Sequence, residues 1–88
     1  MKKRTNPPSI LESPDIVAFV LLNQNIQPRP YQRQSDQKVI FEFTEDIGPS
    51  IDAFYRNVPV PVGDFCKNLK FVRSMIFNLK RGAGDVRR

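Results

Sequence analysis

The clearest hydrophobic pattern in the chain lies at residues 62–79. Val62, Phe65, Leu69, Val72, Ile76 and Leu79 recur three and four positions apart, which is one stripe of an amphipathic helix. The opposite side of the same helical wheel carries Lys67, Lys70, Phe71, Ser74, Asn78 and Arg81. The spacing predicts a long helix from about Val62 to Lys80, closed by Gly82. Asp64 in its first turn and Lys80 and Arg81 in its last suit the helix dipole. A different period governs residues 38–44. Val39, Phe41 and Phe43 alternate with Lys38, Ile40, Glu42 and Thr44, predicting a strand whose Phe face meets the helices. A third pattern has no polar side at all. Ile16 to Leu22 are seven consecutive apolar residues, read as a helix buried all round or covered on one side by another subunit.

Local signals place the boundaries. Ser13-Pro14-Asp15 reads as a helix start, with Ser13 as cap, Pro14 at the first helical position and Asp15 at the positive end of the dipole. Asn25 is a candidate left-handed cap. Ile26 to Arg33 is a strand in which Pro28 and Pro30 share parity, so both missing donors fall on one side and make that side an edge. Gln34 to Gln37 is a polar turn. Thr44-Glu45-Asp46 introduces a second helix whose regular part begins at Pro49 or Ser50, with Ile51, Phe54 and Tyr55 on its buried side. Asn57-Val58-Pro59-Val60-Pro61 is a short stiff link.

The order is helix, strand, strand, helix, helix. The expected fold is therefore α+β, a two-stranded antiparallel hairpin packed by three helices. Residues 1–10 are expected to form a disordered basic arm, 11–81 a single domain and 82–88 a flexible basic tail. A lone two-stranded sheet is barely stable in water. The pattern thus leads to a homodimer, built by joining sheet edges or by packing helices.

Composition narrows the chemistry. The 88 residues include no histidine and one cysteine, so neither an internal disulfide nor a zinc site of ordinary donors is expected. No cofactor or metal is expected, and the chain is read as non-enzymatic. No apolar run approaches the roughly 20 residues of a membrane span, and no apolar region follows the basic start. A soluble cytoplasmic protein is the expectation. The net charge of +5 is unevenly placed: residues 39–66 carry one basic and five acidic side chains, and residues 67–88 carry seven basic and one acidic. Such asymmetry suits an anionic partner, and equally self-attraction between copies.

Ser13-Pro14-Asp15, the strand Val39-Ile40-Phe41-Glu42-Phe43, the pair Phe54-Tyr55 and the helix positions Phe65, Leu69 and Ile76 occur in an order that resembles a family. It is a family of small bacterial and phage proteins catalogued as a domain of unknown function. The resemblance covers residues 13–79. It implies the helix-strand-strand-helix-helix order and an origin in phage or another mobile element, and no activity. The basic ends and Gly48-Pro49 depart from the family pattern.

The leading candidate site is the cationic helix face. Lys67, Lys70 and Arg81 can contact phosphates and Phe71 can stack on a base, with Arg73 and Lys80 widening the patch. A second candidate is Arg29, Tyr31 and Arg33, alternating on one side of the first strand, since strand-borne basic and aromatic residues can form a nucleic-acid surface. The plainer reading of both is an ordinary solvated surface. Cys66 is read as a small buried hydrophobe, and Glu42, Glu45, Asp46 and Asp52 as solvent-face charges. The expected function is a small module binding DNA or RNA. The alternative is a dimeric protein-interaction adaptor with no nucleic-acid role. Gathering of Arg29, Arg33, Lys67, Lys70 and Arg81 on one face of the dimer favours the former; scattering favours the latter.

Overall fold

The structure, a computed structural model, describes residues 9–85, with side chains through residue 81. Residues 1–8 of the expected arm and 86–88 of the expected tail lie outside the described residues. Six elements follow one another: β1 (Ser9–Leu11), α1 (Pro14–Gln24), β2 (Arg29–Gln32), β3 (Val39–Phe43), α2 (Gly48–Tyr55) and α3 (Val62–Asp85). The class is α+β. The sheet, however, has three antiparallel strands in the order β1-β3-β2, where the sequence pattern indicated two. The extra strand begins at Ser9, inside the segment expected to be a disordered arm. Three residues cannot display a period, so β1 left no signal of its own.

The pattern of β3 explains why a third strand is present. Val39, Ile40, Phe41 and Phe43 are all buried, and a buried strand must pair both rows of its backbone groups. One row meets β1, with Leu11 opposite Phe41 and Ser9 opposite Phe43. The other meets β2, with Tyr31 opposite Ile40 and Arg29 opposite Glu42. The argument that a second copy must complete a two-stranded sheet therefore loses its premise.

The register also fixes the edges. The Arg33 N–H donates to the Lys38 carbonyl at 2.7 Å, so odd-numbered residues of β2 bond to β3 and even-numbered ones face outward. Pro28 and Pro30 thus stand where the ladder needs no donor, as their shared parity suggests. On the far side, β1 turns only Ile10 outward within its three residues.

The odd-numbered side chains of β3 enter the core. Val39, Phe41 and Phe43 pack with Val17, Ala18 and Val20 of α1, with Ile47, and with Val72 of α3. Four consecutive residues of α1, Val17 to Val20, are buried, which is what an apolar run without a polar side requires. The helix starts at Pro14 after Ser13, but the Ser13 side chain makes no capping bond. Asp15 Oδ1 instead accepts the Ile16 N–H at 2.9 Å. Asn25 closes the helix in the left-handed region (φ 54°), its N–H donating to the Leu21 carbonyl.

Helix α2 corrects one expectation. Its deeply buried residues are Ser50 and Ala53; Ile51 and Phe54 are half-buried and Tyr55 is 71% exposed. Small side chains let α2 approach α1 closely, and a polar knot fixes the contact. Asn23 Nδ2 donates to Ser50 Oγ at 2.8 Å, and Ser50 Oγ donates to Gln24 Oε1. Gln24 Nε2 donates in turn to the Asp46 carbonyl at 3.2 Å.

Helix α3 packs through Val72, which is fully buried, with Phe65, Leu69, Met75, Ile76 and Leu79 partly buried around it. Asn68 Nδ2 donates to the Ala18 carbonyl of α1 at 3.4 Å. Two details differ from the pattern. Val62 sits in the first turn, beyond the reach of the core, and is 74% exposed. Gly82 does not stop the helix, which continues to Asp85; one glycine costs only about 1 kcal/mol in a helix.

Phe41→Ala is expected to lower unfolding stability by about 3–5 kcal/mol, whereas Phe77→Ala, on the exposed face of α3, stays within about 0.5 kcal/mol. Urea unfolding followed by circular dichroism checks both.

Candidate nucleic-acid interface

The core uses one stripe of α3 and leaves the rest in water. Cys66, Lys67, Lys70, Phe71, Arg73, Ser74, Phe77, Asn78, Lys80 and Arg81 are all exposed. With about 100° per residue, Lys67, Lys70, Phe71, Ser74, Phe77, Asn78 and Arg81 share an arc of about 120° centred opposite Val72. Lys67 and Arg81 stand about 21 Å apart along the axis at 1.5 Å per residue. No acidic residue occurs between Asp64 and Asp85. Among the described residues, no carboxylate forms a salt bridge with Lys67, Lys70, Arg73, Lys80 or Arg81.

Two aromatic rings lie on this cationic surface. Phe71 is 52% exposed and Phe77 62%. The Arg81 guanidinium carbon sits 5.9 Å from the Phe77 ring centroid, within cation–π range. Phe77 was not among the candidates read from the sequence. Its position on the same wheel arc as Lys70 and Arg81 was the available signal. Cys66, read as a buried hydrophobe, is exposed, because it lies outside the stripe that meets the core.

The strand-borne set is placed elsewhere. Arg29, Tyr31 and Arg33 share the parity that pairs with Glu42 and Ile40, on the sheet face opposite Phe41 and Phe43. They are thus separated from the outer face of α3 by the sheet and the core. Arg29, Arg33, Lys67, Lys70 and Arg81 therefore do not gather on one face of the chain, an outcome that on its own favours the adaptor; the nucleic-acid reading is left with the helix set alone.

Arg33 is, in addition, fully engaged. Its Nε and Nη2 donate to Asp36 Oδ1 and Oδ2 at 3.0 and 2.7 Å, and Nη2 also reaches Glu12 Oε2 at 3.0 Å. Lys38 Nζ lies 3.8 Å from Glu12 Oε1. These contacts tie the β2–β3 turn to the end of β1. The turn itself closes with the Gln37 N–H on the Arg33 carbonyl at 2.8 Å, and Gln37 is left-handed at φ 66°. Hydrogen bonds from Arg33 and from the Lys38 N–H hold the Asp36 carboxyl down at about 2, below its ordinary 3.8. Asp36 and Glu12 push Arg33 above its own usual range. Arg29 is more open, its Nη1 4.0 Å from Glu42 Oε1, and Tyr31 is 37% exposed. Arg33 therefore acts as a structural clasp, not as a free phosphate contact.

A second surface feature had no counterpart in the sequence reading. The Asn57–Pro61 link runs past α1 and the start of α3 and leaves an apolar groove of about 380 Å³. Phe19, Phe54, Tyr55, Val58, Val60 and Phe65 line it, with Asn57 at its margin. Phe54 stands edge-to-face to both Phe19 and Tyr55, with centroids 5.6 and 5.3 Å apart. Asn57 adopts φ 61°, and the N–H groups of Asn57 and Val58 donate back to Phe54 and Ala53, which turns the chain sharply out of α2. Among the described residues, no three His, Cys, Asp or Glu side chains gather as a metal site, and no helix is long and apolar enough to cross a membrane.

No family model, curated protein or solved structure matches the chain.

The depressed Asp36 carboxyl has a definite sign. Its stabilising contribution is complete above about pH 3.8 and is lost as pH falls through about 2. Asp36→Asn is expected to flatten the stability profile in that window and leave the slope at higher pH unchanged, as measured by urea unfolding at stepped pH.

Proposed function

We propose that this chain is a non-enzymatic module that binds nucleic acid through the outer face of α3. One observation carries the reading. The five cations of α3 from Lys67 to Arg81 are exposed, and among the residues whose side chains are described (9–81) no carboxylate forms a salt bridge with them. Elsewhere on the surface, the cations Arg29, Arg33, Lys38 and Arg56 each have an acidic partner. A helix with one unbalanced cationic face fits a partner that brings regularly spaced negative charge, because each neutralised phosphate releases counterions. Lys67, Lys70 and Arg81 are the phosphate contacts, with Arg73 and Lys80 at the flanks. Arg29, Tyr31 and Arg33 are not part of this surface, and the reading needs no second copy of the chain.

The adaptor reading is favoured by two other observations, the scattering of the strand and helix cations over different faces and the apolar groove beside the Asn57–Pro61 link. Tyr55 and Val58 at its lip are exposed, and grooves of this size and lining accept apolar side chains or small apolar ligands. The two readings separate by mutation.

With three phosphates neutralised, affinity for a DNA or RNA oligonucleotide should fall about 20- to 40-fold between 50 and 200 mM salt. Lys67→Glu together with Lys70→Glu should remove most of the binding, while Arg33→Gln and Tyr55→Ala leave it unchanged. Fluorescence anisotropy at the two salt concentrations checks this. An affinity indifferent to salt, or one lost on Tyr55→Ala and kept in the charge reversal, would transfer the function to the groove.

A further inference from the structure

The aromatic pair on α3 narrows the kind of nucleic acid, an inference that rests on the reading just given. Phe71 and Phe77 are exposed on α3 within the stretch from Lys67 to Arg81, where every charged residue is cationic. Neither belongs to the set packed on the core. They stand six positions apart, about 9 Å along the axis and about 120° around it, with Lys70 and Ser74 between them on the wheel. Arg81 backs the ring of Phe77 at 5.9 Å.

A rod of intact duplex would use the lysines and the arginine and find no partner for the rings. Its bases are already stacked on one another, and its phosphates are strongly hydrated. A single strand offers both kinds of contact at once. Its phosphates meet Lys67, Lys70 and Arg81, and its unstacked bases can lie on exposed aromatic faces, an arrangement that tolerates any sequence. A second copy of the chain cannot pair this face with itself, since that would set five cations against five. We infer that α3 is a single-strand platform: Phe71 and Phe77 each receive a base, and the Arg81 guanidinium lies over one face of the Phe77 ring, leaving the other face for the base.

The test compares a 20-nucleotide single strand of mixed sequence with the duplex of the same sequence, at one salt concentration, for the full chain. The single strand should bind more tightly. Phe71→Leu and Phe77→Leu, which keep apolar bulk and lose the ring, should each weaken single-strand binding about 5-fold or more and leave duplex binding unchanged. Phe71→Tyr and Phe77→Tyr should retain single-strand affinity. Circular dichroism should show every variant folded, since both rings are half or more exposed. Equal affinity for the two forms, or Leu variants that weaken both alike, overturns the single-strand inference and leaves the nucleic-acid reading standing. Binding to neither form, with polyglutamate or anionic vesicles bound instead, overturns both.

Discussion

The structure depends on the burial of β3. A strand of five residues has Val39, Ile40, Phe41 and Phe43 removed from water, and each large apolar side chain so placed contributes about 1.5–3 kcal/mol. That burial forces the rest. The strand's backbone must be paired on both sides, which recruits β1 and β2. Its odd-numbered face must be roofed by apolar surface, which takes the apolar run Ile16 to Leu22 of α1 and one stripe of α3. Since α3 is amphipathic, meeting the core with one stripe turns the remainder of a 24-residue helix outward. The cationic face is a consequence of how the core is satisfied.

Charge is distributed in two distinct ways over this surface. At the end of the sheet, Glu12, Arg33, Asp36 and Lys38 form a closed network that fixes a turn. Along α3 the cations repeat at spacings of three, as Lys67, Lys70 and Arg73, and like charges so placed destabilise a helix by a few tenths of a kcal/mol per pair. The helix carries this repulsion because its apolar stripe is anchored by packing. An approaching polyanion would relieve it. That difference between a self-satisfied and an unsatisfied charge pattern separates the strand residues from the helix residues as candidate contacts, although both sets look alike in sequence.

Much of the architecture was legible in periodicity. The alternation of β3, the stripe of α3, the parity of Pro28 and Pro30 and the left-handed Asn25 all have the structural meaning their spacing suggests. Three features were not legible, each for a physical reason. β1 is too short to carry a period and exists because β3 needs a partner on its second edge. The buried side of α2 is set by the small residues Ser50 and Ala53, which a pattern of large apolar residues hides; the same pattern places Tyr55 inside when it is outside. Arg33 looks like a surface cation until the turn brings Asp36 and Glu12 onto it. At the candidate site the outward position of Lys67, Lys70, Phe71 and Arg81 followed from the wheel, whereas the separation of Arg29, Tyr31 and Arg33 from them needed the strand register. The groove beside Asn57–Pro61 depends on a turn out of α2 that local composition does not specify.

The two borders of the sheet, β1 and β2, bear on how copies of this protein would meet. Along β2, prolines occupy outward positions, and β1 exposes the backbone of a single residue within its span. Among the described residues, neither border offers a long run of outward N–H donors to a neighbour's strand. Copies that meet at these borders would therefore touch mainly through side chains, with little backbone left to extend one sheet into the next.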